Sequence, residues 1–476
     1  MRSRLFPFIL VILPLLLLVI GRIMGFNGLY GQDAHEYLRM AQAIREALLG
    51  EGAFPTKSYW PVNYPATGAL LSVIVPNLTL ALQLVSVLAL TLSAWWLRQI
   101  ALYYQPEATT ALSIFIGLFF VGSPLLLRAS VLVMSDLLGL LGIIGFWRAV
   151  LAYRSGASIG ALILAVLAAL LAVFSRYPAA LVIGVLGIGW AVELLRKKDW
   201  SALFLLGIGG GGLSLLVLFL MPGLVGVSEN SFLQMWSATQ WWQTEFQNAD
   251  GTLQFPLPNL LATLGVIWLP TFGLSAWLSI GFLKRTDLQL PDRWVLLLAL
   301  LVKVLFLAGL PFQNPRVVYL GYPLVLLLVA PGFVRLWNRF SINKVWRWGL
   351  LTGVVMVQLA LLVRGYHQFY SNQQVQQLLA YRIKEREKEV PVYTFAVDQA
   401  LDTYNVESPI YNLWRQKFDE FSLGGVVLFQ PEKFGNANAP GNVWANWQTL
   451  TTHYQLRPLE SLAEGWVIYR IERKEP

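Results

Sequence analysis

The first polar cluster of the chain, Gln32-Asp33-Ala34-His35-Glu36-Tyr37, follows an entirely apolar N-terminus. Asp33 and Glu36 are three residues apart, so a helix there sets both carboxylates on one face. A carboxylate so placed can take the proton of an attacking hydroxyl as general base. The same spacing fits a capping box, with Asp33 as N-cap of a helix to Leu49 and Glu36 reaching back to the Asp33 amide. The two roles are compatible and both stand. His35 could serve as a base, an acceptor-orienting group or a ligand. The other histidines are His367 and His453, and cysteine is absent. No His/Cys cluster is therefore available for zinc, and one carboxylate pair is too little for a hard cation, so no metal is expected.

Charged side chains close to apolar runs are the next group with chemical meaning, because a charge near lipid is costly. Arg128, Asp136, Arg176, Lys303 and Arg316 all fall where apolar segments end on the same side as Asp33. Asp136 could cap its helix with help from Ser135 or belong to a site. Arg176 and Arg316, with Tyr177 and Tyr319 nearby, could snorkel to headgroups or clasp a phosphate in a two-pronged fashion. Lys303, about two turns inside its segment, is either a snorkelling residue or a further cation for the same anion.

The elements that must position these groups are membrane helices. Of 476 residues, 56% are hydrophobic and 13% charged, and mean hydropathy is +0.58. Apolar runs near the roughly 20 residues needed to cross a bilayer recur to residue 364. They fall at 1–24, 78–98, 108–126, 133–152, 157–174, 177–195, 201–221, 259–283, 294–310, 317–335 and 347–364, about eleven spans in all. The first has the basic start of a signal sequence without a cleavage site, and is read as a retained span. Arg2, Arg4, Arg98, Arg148, Arg154, Arg196, Lys197, Lys198, Lys284, Arg285, Arg335 and Arg339 alternate to one side. The positive-inside rule then sets the N-terminus in the cytoplasm and the C-terminus outside. The expected net charge of +9 thus reflects topology rather than nucleic-acid binding.

A transmembrane domain of residues 1–365 would carry two outer loops, 25–77 and 222–259. The second is rich in Trp and Gln, as befits either a lid or aromatic residues at headgroup level. Residues 366–476 are expected to form a small extracytoplasmic α/β domain, with a helical run to Glu389 and β-like runs at 391–397, 424–431 and 464–473. The fold class is thus a polytopic α-helical membrane protein with a small C-terminal α/β domain.

In order and spacing, "DAHEYLRMAQAI", "WPVNYPATGALLSVI", "SPLLLRASVLVMSDLLGLLG", "FSRYPAALVIG" and "NPRVVYLGYPLVLLL" resemble the GT-C superfamily of integral-membrane glycosyltransferases. The nearest branches are the protein mannosyltransferase, aminoarabinose transferase and RgtA-like ones. The resemblance implies inverting transfer of a sugar from a polyprenyl-phosphate donor, without further cofactor, to a glycan, lipid or protein acceptor outside an integral cell membrane such as a bacterial inner membrane. By position it makes Asp33 the base and Glu36 the second acidic residue, although Ala34 and His35 stand where relatives often read Asp-Glu contiguously. Arg176, Lys303 and Arg316 become phosphate ligands, with Asp136 and Tyr319 beside them, and Tyr59, Trp60, Tyr64 and Trp241 would pack on the sugar. A transporter or flippase is the alternative; the lack of repeated halves speaks against it.

Overall fold

The computed structural model describes residues 2–55, 60–212, 215, 236–248, 251–289, 291–311, 315–339, 344–386, 389–435 and 441–473. Its helices are α1 (Arg2–Ile23), α2 (Gly31–Leu49), α3 (Asn63–Leu71), α4 (Leu78–Tyr104), α5 (Thr109–Ile116), α6 (Pro124–Val131), α7 (Asp136–Gly156), α8 (Ile159–Ser175), α9 (Ala179–Lys197) and α10 (Trp200–Leu206). A hairpin of β1 (Glu245–Asn248) and β2 (Gly251–Gln254) follows, then α11 (Asn259–Trp268), α12 (Pro270–Ser279), α13 (Pro291–Ala308), α14 (Tyr322–Arg339) and α15 (Lys344–Arg386).

Among the described residues five helices are long and apolar enough to cross a membrane, and the bent pair Pro106–Val121 with Pro124–Val131 makes six if counted as one span. Shorter apolar helices include Leu10–Ile23, Ile159–Ser175 and Trp200–Gly212. The difference from about eleven expected spans has local causes. Pro270 divides the 259–283 run into α11 and α12, since it cannot donate to the preceding turn. The 108–126 run bends by 58° around Gly122-Ser123-Pro124. Carbonyls loosened at that bend are satisfied inside the bundle: Gln358 Nε2 donates to Leu118 O at 2.9 Å and the Tyr322 hydroxyl to Phe119 O at 2.6 Å. Irregular backbone at membrane depth is tolerated when it is so buried and bonded. Pro331, inside α14, likewise leaves the Leu327 carbonyl without its helical donor, and the buried Arg293 guanidinium supplies one.

One contact sets the geometry of the site. Gly139, Gly142 and Gly145 form a stripe on α7, and a Cβ at Gly142 would lie 2.4 Å from the Ala172 amide nitrogen of α8. Only glycine lets the two backbones approach so closely, the usual device for packing helices in lipid. A Cβ at Gly139 would press on the Arg176 stem at 3.1 Å, so the same stripe admits that side chain to the start of α7.

The C-terminal domain is a five-stranded sheet, order β4-β3-β5-β7-β6, of β3 (Val392–Thr394), β4 (Ile410–Asn412), β5 (Val426–Phe429), β6 (Tyr454–Ser461) and β7 (Val467–Arg473). β3 runs parallel to β4 and β5, and the β5-β7-β6 part is antiparallel. Alternation along β5 sends Val426 and Leu428 to a core shared with Leu379 and Ile383 of α15. Val427 and Phe429 enter the opposite core, with Val443 and Leu450 of a helix spanning Gly441–His453. α15 is one 43-residue helix that runs through the expected boundary at residue 365, so the last span and the first element of the domain are continuous.

Candidate functional site

Helix α2 presents two working faces. Gln32, His35 and Arg39 turn toward the C-terminal domain: Gln32 Nε2 donates to Asp398 Oδ1 at 2.9 Å, and Arg39 interacts electrostatically with Asp402. His35 is 1% exposed, with Nδ1 2.9 Å from Thr403 Oγ1 and Nε2 3.2 Å from the Gln376 amide. The Thr403 hydroxyl already donates to Gln399 O, so its oxygen accepts from His35 Nδ1–H. This histidine therefore latches α2 to the C-terminal domain, and the acceptor-orienting role expected from its sequence position is not supported.

Nor is the capping box formed. The N-cap of α2 is Tyr30, without a side-chain cap, so Asp33 is the third helical residue. Glu36 accepts from Arg39 Nε at 2.9 Å rather than reaching back to an amide.

Burial lowers the His35 pKa, against smaller opposing contributions from the Gln376 hydrogen bond and Asp398. With the folded value depressed below the 6.5 of free histidine, the unfolded or undocked state takes up the proton first. The latch is fully present above about pH 6.5 and is lost as pH falls through the folded value. Protection factors of the α2 amides, which remove the intrinsic pH dependence of exchange, are expected to fall between pH 7.5 and 5.5 in the parent chain and to stay level in His35→Gln.

The other face of α2 carries Asp33, half-buried, and one turn later Tyr37, fully buried. The Tyr37 hydroxyl is 2.7 Å from Ser135 Oγ, and its ring packs edge-on against Tyr64 with centroids 5.3 Å apart. The segment that ends at Ser135 is held at each step. Gln83 Nε2 donates to Val131 O, the Val133 amide to Gly28 O at 2.9 Å, and the Met134 amide to the Tyr64 hydroxyl at 3.0 Å. Asp136, the next residue, opens α7, where neither it nor Ser135 makes a side-chain cap. The expected cap is replaced by an ion pair, Arg176 Nε to Asp136 Oδ1 at 2.8 Å. Arg176 is the residue just past α8, so the glycine stripe of α7 places it.

Lys303, on α13, completes the cluster. It is 1% exposed, it interacts electrostatically with both Arg176 and Asp136, and its Nζ makes no hydrogen bond among the described residues. Among the described residues two basic side chains thus face the Asp136 carboxylate in a buried setting, an arrangement suited to an anion. The C-terminal turn of the Lys303 helix is bound from the second long loop: Trp241 Nε1 donates to Leu305 O at 3.1 Å, Trp236 Nε1 to Phe306 O at 3.1 Å, and Asn259 Nδ2 to Ala308 O at 2.8 Å. Trp241 was expected to pack on a sugar; its indole N–H instead ties the loop over the end of α13.

Several other expectations are corrected. Tyr64 is 0% exposed, and its hydroxyl bonds the Leu82 carbonyl as well as accepting from Met134, so its ring braces the cluster from behind and offers no stacking face. Arg128 leaves the group, with its guanidinium over the Phe369 ring at 5.3 Å beside Gly365 of α15. Arg316 stands in the short helical turn Pro315–Gly321, whose Leu320 packs near Gly139 at the start of α7, while its side chain lies outside the described residues, as does all of Tyr59. Tyr319 of the same turn is 8% exposed. Tyr37, which joins the two acidic positions through Ser135, escaped the sequence reading as a site residue although it lies one helical turn from Asp33, and Ser135 reads in the sequence only as an aid to the Asp136 cap. Among the described residues no three His, Asp or Glu side chains converge.

No family model and no curated protein sequence matches the chain. Among solved structures it is similar to ArnT from Cupriavidus metallidurans bound to undecaprenyl phosphate, with a TM-score of 0.55 and 14% identity over 96% of this chain and 97% of that one. The apo state of the same protein gives a TM-score of 0.55 and 12% identity over the same shares. The chain therefore shares the fold of that protein over nearly its whole length.

Proposed function

We propose that this chain, sharing the fold of an aminoarabinose transferase, is an inverting glycosyltransferase that moves a sugar from a polyprenyl phosphate to a hydroxyl-bearing acceptor outside the membrane. The neighbour crystallised with undecaprenyl phosphate supports a lipid-linked donor. The observation that carries the reading is the unpartnered, buried Lys303 amine beside the Asp136–Arg176 pair.

In this reading the acceptor oxygen attacks the anomeric carbon as the bond from that carbon to the phosphate oxygen breaks. The Asp33 carboxylate takes the acceptor's proton, and the electron pair of the broken bond leaves on the lipid phosphate. Arg176 and Lys303 stabilise that charge in a site with little water. Asp136 holds the Arg176 fork in position, and Tyr37 couples the base-bearing helix to it through Ser135. The reaction needs no nucleotide, because the leaving group arrives on the lipid. The charge pattern along the chain supports a cytoplasmic N-terminus with Asp33 outside.

Lys303→Met tests this. A buried cation without a partner burdens stability, so the variant is expected to unfold at the same or a higher temperature. In proteoliposomes supplied with polyprenyl-phosphate sugar, its affinity for the lipid phosphate is expected to fall by roughly tenfold or more, as for one charge-assisted contact. Lower stability with unchanged lipid binding would overturn the assignment. Movement of intact lipid-linked sugar across the bilayer without transfer would favour a flippase.

A further inference from the structure

At the end of the bundle away from Asp33, three helix-borne arginines are neutralised by carboxylates or bound by carbonyls. Arg154 pairs with Glu193 and Asp292, Arg335 pairs with Asp287, and Arg293 donates to the carbonyls of Leu327 and Leu328. Arg148 differs. Among the described residues it has no carboxylate partner, and its Nε donates to Gln99 Oε1 at 2.7 Å. A neutral amide fixes the direction of the guanidinium and leaves its charge whole. Beside it, between the last turns of α4 and α7, lies a groove of about 490 Å³ lined by Leu102, Leu151, Ala152 and Ser155, with Tyr103 at its lip.

The combination has a definite chemistry. Leu102, Leu151 and Ala152 make a trough for a hydrocarbon chain, a fixed guanidinium at its side offers two free N–H groups to a phosphate, and a half-exposed tyrosine marks headgroup level. Basic pockets between helix ends are where anionic headgroups dock. We propose that this groove binds an anionic phospholipid, its phosphate on Arg148 and one acyl chain along Leu102 and Leu151. The site lies apart from the Asp136 cluster and does not rest on the transferase reading.

The test uses the full chain, purified in detergent and offered equal amounts of phosphatidylglycerol and phosphatidylcholine, with retained lipid counted by native mass spectrometry. The parent chain is expected to prefer phosphatidylglycerol by roughly fivefold, the ratio one basic residue at a membrane surface provides. Arg148→Gln should bring the ratio to parity, and Arg148→Lys should keep part of it. Ala152→Trp, which fills the trough and leaves the charge, should lower retention of both lipids. An unchanged preference in Arg148→Gln, no preference in the parent chain, or displacement of the lipid by millimolar inorganic phosphate would each overturn the proposal. Should Arg148→Gln not fold, Arg148→Met, which keeps the apolar stem and removes the charge, is read in its place against the same outcomes.

Discussion

Asp33→Asn is expected to fold, to bind polyprenyl phosphate like the parent, and to lose transfer by about 10²- to 10⁴-fold, the usual contribution of a positioned general base. The substitution keeps the size of the side chain and leaves the helix cap untouched. It does not cap α2, whose N-cap is Tyr30. Within α2 its negative charge in the first turn is worth about 0.3–1 kcal/mol against the dipole, which sets the helix's own share of any change in melting temperature. The amide matches the carboxylate in size and cannot take a proton from a hydroxyl. Transfer of radiolabelled sugar from the lipid donor, measured beside thermal unfolding, checks both halves. Activity within a few-fold of the parent would remove Asp33 from the chemistry and leave Asp136 as the carboxylate to examine.

Much of this site was legible because charge near lipid is expensive. Asp136, Arg176 and Lys303 stand out in an apolar sequence, and all three meet. What the sequence could not convey was direction. Arg128 belongs by position to the same level, yet it turns to Phe369 because Gly365 of α15 leaves room for it. His35 reads as chemistry beside two carboxylates, but helical rotation carries it to the opposite face from Tyr37, where Thr403 and Gln376 wait some 340 to 370 residues away in the chain. In the sheet, the three apolar runs correspond to β3, β5 and β7, whose residues are buried on both faces or paired centrally. The two missed strands are the edges: β4 has only three residues, and β6 carries Pro458 at a register shift. Edge strands are often short and interrupted, which hides them from a reading based on apolar runs.

The two faces of α2 also give the tail a place in the proposed mechanism. Through Gln32 and His35 the C-terminal domain grips the helix that bears Asp33, while Tyr37 grips the start of α7. A helix held on both sides keeps its carboxylate at a fixed separation from the cationic cluster, the preorganisation that catalysis requires.

Arg176→Gln is expected to have the second large effect, and a double substitution separates its two causes. The Arg176 and Asp136 side chains are 13% and 3% exposed. Removing one partner of such a pair leaves a buried, uncompensated charge and costs about 3–5 kcal/mol. Lys303 lies within electrostatic range of Asp136 and should recover a part of that loss, so the lower figure is the better expectation. In Asp136→Asn with Arg176→Gln both charges of the pair are gone, and part of the stability should return, less whatever the buried Lys303 amine loses with the Asp136 carboxylate. Transfer should not return, because the lipid phosphate would still lack the guanidinium that stabilises it as it leaves. Unfolding midpoints in denaturant for the two single variants and the double variant give the coupling energy directly. Recovery of both stability and transfer in the double variant would mean that the pair is a clasp between α7 and α8 and nothing more, and the phosphate would then rest on Lys303 alone.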